Sequence, residues 1–188
     1  MKKGSIRKLL ASVLTVAAVT GLVTGCGSTK TESTASGDSK TVYRTLDEIK
    51  QSGTINIGVF SDKNPFGYVD ENGEYQGYDV YFANRIGEDL GVDVNFVSTE
   101  AASRIEYLQT GKVDLILANF TVTKERAEEV DFALPYMNVA LGIVSPESAP
   151  VTDIDNWNAD DEMIVISGTT AETYLTANYP GIKLQKYD

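Results

Sequence analysis

The chain has 188 residues, with 27 acidic against 16 basic side chains, a formal net charge of −11, no histidine and one cysteine. Such an acidic balance argues against nucleic acid and against electrostatic docking on anionic lipid. Without histidine there are no imidazole metal sites or histidine-based triads, and a single cysteine leaves no internal disulfide.

Lys2, Lys3, Arg7 and Lys8 form a cationic head before an apolar run from Leu9 to Val23, which ends in Val23-Thr24-Gly25-Cys26. This order reads as a bacterial export signal. At about 15 residues the run is shorter than the roughly 20 that a spanning helix needs. The small residues before Cys26 resemble the lipobox of bacterial lipoproteins, which implies a signal peptide over 1–25 and lipidation of Cys26. An ordinary secretory signal with an incidental cysteine is the alternative. Gly27 to Thr41 holds no residue able to build a core, so 26–44 is expected to be the anchor residue and a flexible tether.

From about Thr45 the pattern alternates between strands and helices. Ile55, Ile57, Val59 and Phe60 make a first strand, followed by a hairpin from Phe66 to Gly77 that turns at Asp70-Glu71-Asn72-Gly73, where Asn-Gly is a two-residue turn signal. Tyr78 to Leu90 is an amphipathic helix, with Tyr78, Phe82, Ile86 and Leu90 on one face and Gly91 closing it. A second strand is predicted over Val92–Val97, a second helix over Ala101–Thr110 ended by Gly111, and a third, fully covered strand over Val113–Ala118. Two successive strand-helix-strand crossovers imply an α/β fold on a mostly parallel sheet. Pro135 breaks the pattern, and the apolar segment Met137–Val144 reads as a strand leaving a first lobe for a second. There, Met163–Ile166 predicts a short strand, Ala171–Asn178 a helix stopped by Pro180-Gly181, and Ile182–Tyr187 another strand.

The chemistry concentrates where the third strand ends. Asn119, Thr121 and Thr123 are followed by Arg126 on the first turn of a short helix, which sets amide, hydroxyl and guanidinium groups at the carboxyl end of a strand, where open α/β sheets bind small ligands. A guanidinium fork matches a carboxylate, so a small carboxylate-bearing ligand is the first expectation. The alternative is a surface arginine paired with Glu129 or Asp131. Gly168-Thr169-Thr170 precedes a helix whose first N–H groups suit an anion, although such a sequence also serves as a plain cap. Glu125, Glu128 and Glu129 form a solvated face rather than a paired acid and base, so no enzyme is expected, and no cofactor.

The segments IGVFSDKNPFGYVDENGEYQGYDV, RIEYLQTGKVDLILANFTVTKERAEEVDFALPYM and ISGTTAETY resemble the extracellular solute-binding proteins of polar amino-acid ABC importers. VFSDKNPFGYVDENG and LPYMNVALG are most similar to the cysteine-binding members. The resemblance implies a periplasmic-binding-protein-like fold of type II: lobe one over 45–137, a hinge crossing of a two-stranded hinge over 138–145, and part of lobe two over 146–188. The family continues past the position of Asp188 and places its ammonium-binding acidic residue there, so the second lobe is expected to be incomplete at its C-terminus.

In the family pattern Arg126 grips the ligand carboxylate, Asn119 and Thr121 hydrogen-bond the ligand, and Gly168, Thr169 and Thr170 add carboxylate contacts from lobe two. Phe60 and Phe66 would form an apolar wall, with core packing as the alternative; an uncharged residue at Phe60, where binders of acidic amino acids often carry lysine, favours a small or apolar side chain, consistent with cysteine. Arg104 matches a residue that contacts a side-chain carboxylate in some aspartate and glutamate binders, though cysteine-binder-like proteins carry it too; a salt bridge on its own helix is the other reading. The resemblance thus implies a monomeric, lipid-anchored receptor on the extracytoplasmic face of the membrane, with an amino-acid ligand and an ABC importer permease as partners and no nucleic acid. A glutamate or aspartate receptor, a dehydratase on the same scaffold, and a surface adhesin stay open as alternatives.

Overall fold

The computed structural model describes residues 43–158 and 160–188. The expected export signal, Cys26 and nearly all of the expected tether lie outside these residues. The first helix, α1 (Leu46–Ser52), is built by a capping box. The Thr45 hydroxyl accepts from the Glu48 N–H, the Glu48 carboxylate accepts from the Thr45 N–H, and Gly53 closes the helix in the left-handed conformation. No helix was expected here, although Thr45-x-x-Glu48 is its signature.

Strand β1 (Thr54–Val59) is the middle of a parallel sheet in which β5 (Asp93–Ser98) and β6 (Leu115–Ile116) flank it. Its Ile57 and Val59 are fully buried. A Cβ on Gly58 would lie 2.4 Å from Ile116 Cδ1, so the Ile116 side chain fills the space over this glycine. Helix α2 (Tyr78–Leu90) crosses from β1 to β5 and ends at Gly91 as predicted. On one side of the sheet, Val80 and Ala83 of this helix pack with Ile49, Ile55, Ile57, Val59 and Leu117. The other side is closed by Phe60, Ala101, Val113, Ile116 and Ala118. Arg44 braces the amino ends of the strands, with its guanidinium on the Asp114 carboxylate and on the Ser52 hydroxyl, while Asp114 also accepts from the Asn56 N–H at 2.7 Å.

Between β1 and α2 runs a small antiparallel meander, β2 (Asp62–Lys63), β3 (Gly67–Val69) and β4 (Tyr75–Gln76). The predicted two-residue turn is a wider loop: Asp70 N–H donates to the Glu74 carbonyl, Gly73 sits at φ +85°, and the Asp70 carboxylate accepts from the Asn72 and Glu74 amides. The carboxylate stabilises the three-residue form, with glycine supplying the left-handed position.

Two predicted elements are shorter. Helix α3 covers Arg104–Gln109, because residues 101–103 form a turn whose Ala101 carbonyl accepts from Arg104 Nε at 2.9 Å. The run Val113–Ala118 is assigned as strand only at β6, yet the Asp114 and Leu117 amides also bond along β1. Beyond α4 (Lys124–Ala127), the predicted strand over Met137–Val144 does not form among the described residues. None of the eight strands pairs with it, and extended backbone becomes a strand only when a neighbour takes its N–H and C=O groups. The C-terminal βαβ unit matches prediction: β7 (Glu162–Ile166) and β8 (Lys183–Tyr187) are parallel, and α5 (Thr170–Asn178) crosses between them. Its core is Met163, Val165 and Leu175.

Candidate functional site

The turn after β6 is shaped by Asn119, the only non-glycine residue with positive φ (+43°) among those described. Its N–H donates to the Asp79 carboxylate at 2.9 Å, and Tyr136 Oη donates to the same carboxylate at 2.7 Å. Asp79, on the first turn of α2, is completely buried with no cation beside it, so burial pushes its carboxyl above the ordinary 3.8, partly offset by these two donors. Sequence reasoning missed Asp79 and Tyr136. An aspartate on the first turn of a helix reads as a response to the helix dipole, and nothing local says that it reaches a turn 40 residues on.

That turn presents Phe120, on whose ring two cations converge. The Arg104 Cζ lies 4.4 Å and the Arg126 Cζ 4.8 Å from its centroid, within cation–π range. Arg104 is 3% exposed and Arg126 half-buried. Neither has a carboxylate within 4 Å among the described residues, which rules out the pairing of Arg126 with Glu129 or Asp131 and a salt bridge for Arg104. Burial, and then the charge of Arg126, depress the Arg104 guanidinium to about 10; burial lowers that of Arg126 as well. Two like charges held together in a partly dry site favour an anion between or beside them.

Donor accounting separates the two. A guanidinium has five N–H donors. Arg104 commits four: Nε to the Ala101 carbonyl, Nη1 to those of Ala118 and Asn119, and Nη2 to that of Gly168, at 2.9–3.1 Å. Arg126 commits two: Nη1 to the Thr121 carbonyl at 2.8 Å and Nη2 to that of Gly168 at 2.9 Å. Arg126 therefore keeps the capacity to take a carboxylate bidentately, and Arg104 does not.

The other predicted residues fall into three groups. Asn119 and Thr121 join the arginines through their backbone carbonyls. Gly168, Thr169 and Thr170 are brought to the same place by the β7–α5 loop, but part of their donor capacity is used internally. The Gly168 N–H donates to the Glu172 carboxylate at 2.7 Å, and the Thr169 hydroxyl donates to the Ile166 carbonyl at 2.6 Å while capping α5. Thr170 opens α5, and its hydroxyl has no protein partner among the described residues. Phe60 packs into the core at 5% exposure beside Ala101 and Val113, and its ring backs Arg104 at 5.8 Å. Phe66 lies in the β2–β3 turn, where its carbonyl accepts from the Asp79 N–H; it is not among the rings that face the two guanidinium groups.

A parallel sheet with an anion-seeking site at the carboxyl ends of its strands, completed by a loop of a second βαβ unit, defines the periplasmic-binding-protein-like class of type II. Residues 55–178 match the bacterial extracellular solute-binding proteins, family 3, and the chain belongs to that family. Membership implies an extracytoplasmic location. Among solved structures, the chain is similar to the solute receptor for L-cysteine of Neisseria gonorrhoeae (55% identity, TM-score 0.75, 77% of this chain and 60% of that one). It is also similar to the cysteine-binding protein from Campylobacter jejuni (53% identity, TM-score 0.72, 76% and 58%). Among curated relatives, the ABC transporter glutamine-binding protein GlnH of Bacillus subtilis (strain 168) is 28% identical over 171 residues, 89% of this chain and 62% of that one. The chain thus spans about three fifths of the length of these proteins.

Proposed function

We propose that the protein is the substrate-binding lipoprotein of an ABC importer, capturing a small polar amino acid, cysteine by preference, outside the membrane. The observation that carries this reading is the pair of guanidinium groups on Phe120 with no carboxylate partner among the described residues, Arg126 of the two keeping three N–H donors uncommitted there. In this reading Arg126 takes the ligand α-carboxylate, Asn119 and Thr121 border it, and Gly168, Thr169 and Thr170 come against it as the lobes close. A charge-assisted hydrogen bond contributes about 1.5–3 kcal/mol. Micromolar affinity needs about −8 kcal/mol, so lobe closure supplies the rest.

Cysteine is favoured because two of the similar solved structures, at 55% and 53% identity, are of a receptor for L-cysteine and a cysteine-binding protein, and because Phe60 offers no cation to an acidic side chain. Cys26 would carry the lipid anchor, the tether would lead to a monomeric binding body, and an importer permease would receive the ligand. A binding role rather than an enzymatic one is supported by the carboxylates near Arg126: Glu125, Glu128 and Glu129 are all exposed, and none meets a guanidinium in the site. The nearness of a second guanidinium favours one other reading, a glutamate or aspartate receptor, but Arg104 has already committed four of its five donors.

Calorimetric titration of the full-length protein with the twenty amino acids and cystine tests the assignment. Cysteine should bind in the micromolar range or tighter, and Arg126→Ala should abolish the heat. Tight binding of glutamate without binding of cysteine would transfer the assignment to the second reading, and unchanged affinity in Arg126→Ala would remove the arginine from the site.

A further inference from the structure

Arg104 is the most buried cation among the described residues, and its partners are all peptide carbonyls. Three of them, Ala101, Ala118 and Asn119, frame it from the N-terminal α/β layer. The fourth is Gly168, on the β7–α5 loop, whose oxygen also accepts from Arg126. A carbonyl oxygen has two lone pairs, so this one is saturated by the two guanidinium groups.

The fit around it is close. Gly168 sits at φ +72°, and a Cβ there would come within 2.6 Å of Ala102 Cα and 2.8 Å of Ala102 N. Only glycine combines that conformation with that approach. Ile166, at the end of β7, packs into the apolar cluster of Phe60, Val113 and Ala118, so an apolar contact flanks the polar one.

We propose that Arg104 is a positioning residue: it latches the β7–α5 loop onto the ligand turn through the Gly168 carbonyl, and it does not read the ligand's side chain. This rests on the reading of the paired guanidinium groups as an amino-acid site, and it gives closure a component that needs no ligand. Arg104 is fixed by three carbonyls of its own layer, so it presents its remaining Nη2 edge as a rigid donor. When a carboxylate takes Arg126, the Gly168 oxygen keeps its bond to Arg104 and the loop stays registered. The latch raises the share of binding-competent molecules before ligand arrives, which raises apparent affinity for every ligand by the same factor.

The test is the distance between the two units in the full-length protein without ligand, measured by pulsed dipolar spectroscopy. Spin labels are carried on unnatural side chains at the exposed positions Asn72 and Thr176. Arg104→Lys replaces the planar fork by a point charge that cannot serve four carbonyls. Gly168→Ala keeps both guanidinium groups and blocks the approach. Both variants should lengthen and broaden the ligand-free distance distribution. They should also weaken L-cysteine and L-glutamate by similar factors, at least about fivefold, without changing their ranking. Ligand-free distributions identical to wild type in both variants would overturn the latch, and so would an Arg104→Lys effect confined to one ligand. The distance measurement reads the latch even if neither amino acid binds, so its failure is distinguishable from failure of the receptor reading.

Discussion

The N-terminal layer and the C-terminal βαβ unit use the same strand-helix-strand grammar and end up with unequal cores. In the first, β1 has a parallel neighbour on each side and helices or loops over both faces, and Ile57 and Val59 are completely buried. In the second, β7 and β8 have only each other among the described residues, one face is covered by α5, and Ile164 remains 65% exposed. The charged apparatus follows this difference. Both arginines, Phe120 and the buried Asp79 belong to the well-packed layer, where burial and backbone carbonyls can hold a cation still. The thinner unit contributes one loop. Rigid donors on one side and a loop bonded to them from the other are what the proposed receptor reading requires.

The comparison can be broken most directly in the cores. Ile57→Ala should cost about 2–5 kcal/mol, as buried aliphatic truncations do. Ile164→Ala should stay within about 0.5 kcal/mol, as exposed substitutions do. Urea unfolding of the two variants checks both, and equal losses would mean that the second face of the βαβ unit is covered after all. A smaller effect is expected at Phe120. Phe120→Leu keeps apolar volume but removes the ring shared by the two guanidinium groups, and should weaken amino-acid binding by about 1–2 kcal/mol, with the loss read by calorimetry.

The smallest effect is a slope. The Asp79 carboxyl is raised by burial, so the folded protein binds its proton more tightly than the unfolded chain does. Its contribution to stability is therefore complete below the ordinary 3.8 and is lost as pH rises through the raised folded value. Glu172, held down by Lys186 and the Gly168 N–H, works in the opposite sense: its contribution is present above the ordinary 4.5 and is lost on acidification. Asp79→Asn can still accept from the Asn119 N–H. Its melting temperature should therefore gain on wild type as pH rises from about 4 to 7, and a constant offset would show that Asp79 does not titrate in that range.

Much of the fold was legible because its signals are local. Glycines at 91 and 111 stop helices where expected, the 3.6-residue spacing from Tyr78 to Leu90 marks α2, alternating apolar residues mark β5 and β8, and a short continuous apolar run marks β7. The failures share a cause. Whether Met137–Val144 becomes a strand depends on a partner, not on its own residues. The Asn-Gly turn was widened by a carboxylate two residues before it. In the site, the position of Arg126 after β6 was readable, since the short helix that carries it follows the strand directly in sequence. Arg104 was not: its role depends on four carbonyls drawn from three segments, and no spacing rule reports where a carbonyl points.

The brace made by Arg44 carries an implication of direction. It fastens the first described residues to Asp114, at the amino ends of the parallel strands, whereas Asn119 and Arg126 lie past their carboxyl ends. The first described residues are therefore tied down at the end of the sheet opposite the one where the two guanidinium groups gather.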